Sequence, residues 1–378
     1  MTACRTYKIA VQIFAAFALM WLSACAPHKD DAEASTEAGK DTGPSIALLY
    51  DIGGKFDSSF NQAAYNGAAR WAAETGGTYR DFEPTSETQF EQALRRFARR
   101  GTDLIIAVGI AYRVAVEKVA LDFPETQFMV VDSVIDLPNV RSVTFEEAEG
   151  SFLVGVLAAM KTESNKVGFV GGMDIPLIRR FSQGFQEGVA YVNSDISVVE
   201  NYVGTTPTAW NDPIRAGELA RNQYGRGVDI IFHAAGPSGL GVIQAAKDVK
   251  ELAIGVDSNQ NGVAPGFVLS SMLKRVDVAV YQAITDMAGG NWSTGQHVLG
   301  LAQGGVDYAV DDYNAALISE DDKTLLESVK AKIIAGDILV AGKVAAPKVD
   351  APTAAAAPAQ AESADTESRQ PEGVQPNL

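Results

Sequence analysis

Two aspartates and two phenylalanines stand at matching places in this sequence. Asp132 closes the run Phe128-Met129-Val130-Val131-Asp132-Ser133, and Asp257 closes Ala253-Ile254-Gly255-Val256-Asp257-Ser258. Phe60 and Phe181 each open the pattern F-x-Q-x-x-x-x-G, completed by Gln62 and Gly67 in one copy and by Gln183 and Gly188 in the other. A carboxylate at the end of a strand can accept hydrogen bonds from a ligand's hydroxyl or N–H groups. It can equally cap a helix or close a turn. Two aromatic rings facing each other across a cleft can clamp a flat ring, a contact worth about 1 to 3 kcal/mol per stacked base; the same two rings can also be plain core. Gly109 and Gly236 each follow an apolar run and would let a ligand approach the backbone.

Catalysis has no comparable support. His28, His233 and His297 are far apart, and there is no H-E-x-x-H, no cysteine-rich metal site and no G-x-S-x-G nucleophile elbow. The segment Gly236-Pro237-Ser238-Gly239-Leu240-Gly241 has neither dinucleotide nor P-loop spacing. The residues point to a binder, with no metal, cofactor or catalytic group expected. An enzyme that cleaves its ligand with Asp132 or Asp257 as acid or base is the rival from another class.

These residues are carried by an alternation of short apolar runs and longer amphipathic ones, the pattern of βα units and a parallel sheet. Strands are predicted over 46–50, 78–82, 104–108, 127–131, 167–170, 198–203, 230–233, 253–256 and 268–272. Helical periodicity is clearest over 61–73, 87–100, 112–121, 147–160, 178–192, 213–224 and 240–249. The folded part repeats itself after roughly 120 to 127 residues. The opening strands, the F-x-Q helices, the runs Asp103-Leu104-Ile105-Ile106 and Asp229-Ile230-Ile231-Phe232 with their following glycines, and the two aspartate-ended runs match in one order. An α/β chain of two similar lobes in series follows, with the repeated residues where an interlobe cleft would be lined.

The ends have a different character. Arg5 and Lys8 precede an uncharged apolar run from Ile9 to Leu22, about 14 residues against the roughly 20 needed to span a bilayer as a helix. Residues 1–24 therefore read as a signal peptide. Leu22-Ser23-Ala24-Cys25 resembles a bacterial lipobox, which implies export, cleavage before Cys25, and a lipid on that cysteine holding the chain to a membrane. Residues 25–44 are expected to form a disordered tether, and the Ala-, Pro- and Glu-rich residues 345–378 a disordered tail. A net charge of −16 with scattered Lys and Arg argues against nucleic acid as a partner.

The segment Asp51-Ile52-Gly53-Gly54-Lys55-Phe56-Asp57-Ser58-Ser59-Phe60-Asn61-Gln62 resembles the signature of the basic membrane protein family of ABC-transporter substrate-binding lipoproteins. Glu149-Gly150-Ser151-Phe152-Leu153-Val154-Gly155, Val167-Gly168-Phe169-Val170-Gly171-Gly172-Met173, Ala234-Ala235-Gly236 and Gly255-Val256-Asp257-Ser258 are similar too. The resemblance implies a two-lobed, type I periplasmic-binding-protein fold. An N-terminal lobe is expected over 45–145 plus about 274–295, and a C-terminal lobe over 146–273 plus about 296–344. It also implies a purine nucleoside as ligand, with ABC permease and ATPase subunits as partners. Phe60 and Phe181 would stack on the base, Asp132 would hydrogen-bond it, and Asp257 and Lys274 would hold the ribose. Asp51, Asn61 and Gly236 would be neighbours of the ligand. Riboflavin or another planar solute fits a phenylalanine pair equally well. One departure stands out: Asn259 occupies a position that is aspartate in many relatives.

Overall fold

The computed structural model describes residues 43–342. The signal peptide over 1–24, the anchor at Cys25, nearly all of the tether over 25–44 and the tail over 345–378 lie outside the described residues.

In chain order the first elements are β1 (Ile46–Leu49), α1 (Phe60–Thr75), β2 (Tyr79–Phe82), α2 (Phe90–Ala98), β3 (Leu104–Ala107), α3 (Arg113–Asp122), β4 (Gln127–Val131) and β5 (Val140–Phe145). Then follow α4 (Glu147–Lys161), β6 (Lys166–Met173), α5 (Pro176–Val192), β7 (Ser197–Gly204), α6 (Pro213–Tyr224), β8 (Ile230–Ala234), α7 (Gly239–Val249), β9 (Leu252–Asp257) and β10 (Val268–Lys274). The last are α8 (Val276–Ala288), β11 (Gly295–Leu299), β12 (Val306–Tyr308) and α9 (Glu320–Ala335). They build two sheets, ordered β11-β5-β4-β3-β1-β2 and β12-β10-β9-β8-β6-β7. Every pairing is parallel except β10 with β12. The architecture is the expected α/β, two-lobed, type I periplasmic-binding-protein fold.

Strands covered on both faces lose the polar–apolar alternation, which is why β1 (IALL) and β3 (LIIA) read as unbroken apolar runs. One face of the first sheet packs Leu49, Ile105 and Phe128 against Phe90, Leu94 and Phe97 of α2 and Val116 and Val119 of α3. The second sheet repeats the arrangement, with Ile231 and Ala253 against Ala216 and Ala220 of α6 and Val242 and Ile243 of α7. The interior strand β5 (VRSVTF), next to the edge strand β11, carries three polar residues, and its periodicity hides it in the sequence. Its Arg141 is buried because the guanidinium pairs with Asp286 at 2.7 Å and lies 4.0 Å from the Trp292 ring.

The chain passes between the sheets three times: from β5 into α4 at Glu146, from β10 into α8 at Arg275, and beyond β11 at Gly300. The last passage follows Leu299, because Gly295–Leu299 completes the first sheet beside β5. The lobe limit expected near residue 295 moves accordingly. The F-x-Q-x-x-x-x-G repeat has a packing cause. A Cβ on Gly67 would lie 2.3 Å from the Asp277 carbonyl oxygen of α8, and one on Gly188 would lie 2.0 Å from the Phe152 carbonyl oxygen of α4. In each lobe the glycine lets the phenylalanine-bearing helix press against the helix that carries the chain in from the other lobe.

Candidate functional site

The carboxyl ends of both sheets face one cavity, which holds about 640 Å³ of space free of atoms out to its open mouth. Asp51, Phe60, Asn61, Asp132, Phe181, Gly236, Asp257 and Lys274 all line it. Each is set there by a short piece of local chemistry.

Asp51 follows β1, and its Oδ1 accepts the Ile52 N–H at 2.7 Å. Asn61 turns its side chain back onto the loop, donating from Nδ2 to the carbonyls of Asp51 and Gly54, both at 3.1 Å, and accepting the Asp51 N–H at 3.0 Å. Asp57 closes the start of α1 by accepting the N–H groups of Ser59, Asn61 and Gln62 at 2.9–3.0 Å. A carboxylate so placed satisfies donors that the first turn of a helix leaves free. Phe60, the first residue of α1, is thereby fixed at the cavity wall. Gly109, with φ 112°, has no room for a side chain: a Cβ there would lie 2.4 Å from Asp51 Oδ2.

Asp132 and Asp257 occupy equivalent strand ends, and both adopt the left-handed backbone region, with φ 67° and 64°. Such conformations are sparse for residues with a side chain and cluster at functional sites. Their partners differ. Asp132 receives Lys274 Nζ at 2.7 Å, whereas Asp257 accepts Ser59 Oγ–H at 2.6 Å from the other lobe. Ser258 Oγ donates to the Ser59 carbonyl at 2.7 Å and Gln260 Nε2 to the Ser58 carbonyl at 3.0 Å, so with the Lys274–Asp132 contact four hydrogen bonds bridge the lobes beside the cavity. Lys274 pairs with Asp132 and Glu147, while Asp257 takes its hydrogen bond from Ser59.

Lys274 is 2% exposed. Burial alone would lower its ammonium pKa, but Asp132, Glu147 and Asp257 more than offset that and hold it above the usual lysine value. The carboxyls pay the other side of burial. Desolvation lifts Asp51 to about 7, and lifts Asp132 and Asp257 to about 6 against the pull of Lys274. The Lys274 ammonium also lies 5.3 Å from the Phe60 ring centre and 5.6 Å from that of Phe181, so both rings converge on one charge.

A ligand that donates to these carboxylates needs them ionised. Protons compete below pH 6, and affinity should fall about tenfold between pH 7 and pH 5 for one such contact. The same elevation acts oppositely on folding: the native chain binds these protons more tightly than the unfolded chain, so ligand-free stability should fall as pH rises through 6 to 7. Calorimetric titrations and thermal melts across that range check both signs. A Kd independent of pH over 5–7 contradicts the carboxylate contacts.

Several lining residues carried no signal in the sequence. Trp210 stands in the short turn Pro207–Asn211, pinned where Ser238 Oγ donates to the Ala209 carbonyl at 2.7 Å and accepts the Asp212 N–H at 2.6 Å. Its ring passes close over Gly172, where a Cβ would meet it at 2.2 Å. Half-buried Trp210 is a third aromatic wall beside Phe60 and Phe181. Leu177, Ile178 and Pro237 make the rest of the surface apolar. Asn259 does not line the cavity and donates to Asp311 at 2.6 Å. His233 is wholly buried, and burial lowers it to about 4. Among the described residues no group of three His, Cys, Asp or Glu is placed to hold a metal, and no helix is long and apolar enough to cross a membrane.

A family model matches residues 45–342: Bmp, described as "ABC transporter substrate-binding protein PnrA-like". Among curated relatives, the "CD4+ T-cell-stimulating antigen" of Listeria innocua is 34% identical over 363 residues, covering 90% of this chain and 99% of the relative. The "ABC transporter nucleoside-binding protein BmpA" of Lactococcus lactis is 33% identical over 361 residues, covering 89% and 99%. Among solved structures, an ABC transporter solute-binding protein of Aeropyrum pernix superposes with a TM-score of 0.72 at 32% identity, covering 78% of this chain and 92% of that one.

Proposed function

This chain belongs to the Bmp family of PnrA-like ABC-transporter substrate-binding proteins, and from that premise we propose that its ligand is a nucleoside, most readily a purine nucleoside. The observation that carries the reading is the composition of the cavity at the carboxyl ends of the two sheets: aromatic faces from Phe60, Phe181 and Trp210, with Asp51, Asp132, Asp257 and Lys274 around them. A flat base suits the rings, and vicinal sugar hydroxyls suit an arrangement of carboxylate acceptors and an ammonium donor. In this reading Asp132 serves the base, while Asp257 and Lys274 serve the ribose. A Lactococcus lactis relative bears the name nucleoside-binding protein, which agrees with it.

The lobes close on the ligand by hinge motion about the three crossings, and the closed form is what a permease and its ATPase receive. A lipid on Cys25 would keep the receptor at the membrane, in line with relatives named lipoproteins. Mass spectrometry of the small molecule released when the purified protein is denatured tests the ligand directly. A nucleoside is the expected mass; a flavin or a sugar in its place would overturn the assignment.

A further inference from the structure

We propose that Glu147, which lines no part of the cavity, is the positioning residue that aims Lys274 at the ligand. Glu147 is fully buried at the first position of α4, immediately beyond the first crossing, and Lys274 ends β10 immediately before the second. The Lys274 ammonium lies 2.7 Å from Asp132 and 3.1 Å from Glu147 Oε1. The other oxygen of Glu147, Oε2, accepts Arg180 Nε–H at 2.8 Å. Asp132, Lys274, Glu147 and Arg180 thus form a row of alternating charge that begins at the cavity wall, runs through buried Lys274 and Glu147, and ends at half-buried Arg180.

The row has a chemical purpose. An ammonium carries three N–H donors and no acceptor. Its hydrogen bond goes to Asp132; the Glu147 carboxylate, on a different element, adds an ion-pair contact at 3.1 Å that fixes the ammonium's direction and leaves donors for the cavity. Arg180, permanently cationic, compensates Glu147 so that the buried carboxylate costs less. Arg180 also adjoins Phe181 on α5, so the row ties the lysine, an aromatic wall and two hinge passages into one unit. Substituting Glu147 should therefore change what Lys274 touches without altering any group that meets the ligand.

This rests on the reading that Lys274 donates to the sugar of a nucleoside. The test compares Glu147→Gln with the wild type by calorimetry, using guanosine and its 2′,3′-dideoxy counterpart, with the Lys274 ammonium protons followed by NMR in the ligand-free chain. Loss of a charge-assisted contact corresponds to about 10- to 100-fold weaker guanosine binding, with little change for the dideoxy compound. Exchange of the ammonium protons with water should quicken at least about tenfold once the pair is broken. Equal losses for both sugars, in a protein whose wild type tells them apart, overturn the positioning role. A wild type that binds both alike refutes the sugar contact instead, and the ligand-free NMR then decides the matter: unchanged exchange in Glu147→Gln overturns the proposal, and faster exchange supports it. Should Glu147→Gln fail to fold, Arg180→Gln at the more exposed end of the row is expected to give the same sugar-selective loss in weaker form, and an equal loss for both sugars there overturns the proposal.

Discussion

Lys274→Met is expected to cost about 3–5 kcal/mol of folding stability, the usual result of removing one partner from a buried ion pair. The methionine would fill much of the lysine's volume, so the loss is electrostatic. Asp132 would be left without a cation, and Glu147 with Arg180 alone. Restoring neutrality by adding Asp132→Asn should recover a large part of the loss, because the stranded carboxylate is then gone. Urea unfolding of the single and double variants measures both. A loss below about 1 kcal/mol in the single variant would mean that the pair is hydrated and weak, as exposed pairs are.

Phe60→Ala should weaken ligand binding by about 1–3 kcal/mol, or roughly 5- to 150-fold in Kd, while leaving the fold intact. Phe60 is the informative ring because it is only half-buried at the first position of α1, where truncation opens no interior cavity. Phe181 is 3% exposed and packs toward Phe232, so its removal would cost stability along with binding. Trp210→Ala separates two versions of the clamp. A loss matching that of Phe60→Ala makes Trp210 the opposing face, and a small loss leaves that part to Phe181. Unchanged affinity in Phe60→Ala, with a normal melting profile, contradicts stacking altogether.

The parts of the site legible in the sequence are those that obey local rules or recur. Asp132 and Asp257 end apolar runs of the same shape, and their shared left-handed backbone shows that the repeat extends to geometry. The F-x-Q-x-x-x-x-G repeat exposed Phe60 and Phe181, although its glycine proved to serve helix packing. What stayed hidden is tertiary. The contact of Ser59 with Asp257 joins residues 198 positions apart. Trp210 belongs to the turn between β7 and α6, and the matching turn of the first lobe, Glu87–Gln89 between β2 and α2, carries no aromatic residue to signal it. Glu147 sits in the acidic stretch Glu146-Glu147-Ala148-Glu149, which reads as solvated surface, yet it is buried because Lys274 and Arg180 are brought to it by strands and helices distant in sequence. β5 escaped for the same reason: the Asp286 and Trp292 that shelter Arg141 lie well beyond it in the chain.

The central claim, that the cavity holds a nucleoside without consuming it, is tested most directly by titrating the ligand-stripped protein with adenosine, guanosine and inosine in a calorimeter and then assaying the mixture for free base. One nucleoside bound per chain, with no base released on prolonged incubation, is the predicted result. Absence of binding by all three, or accumulation of free base, would contradict it.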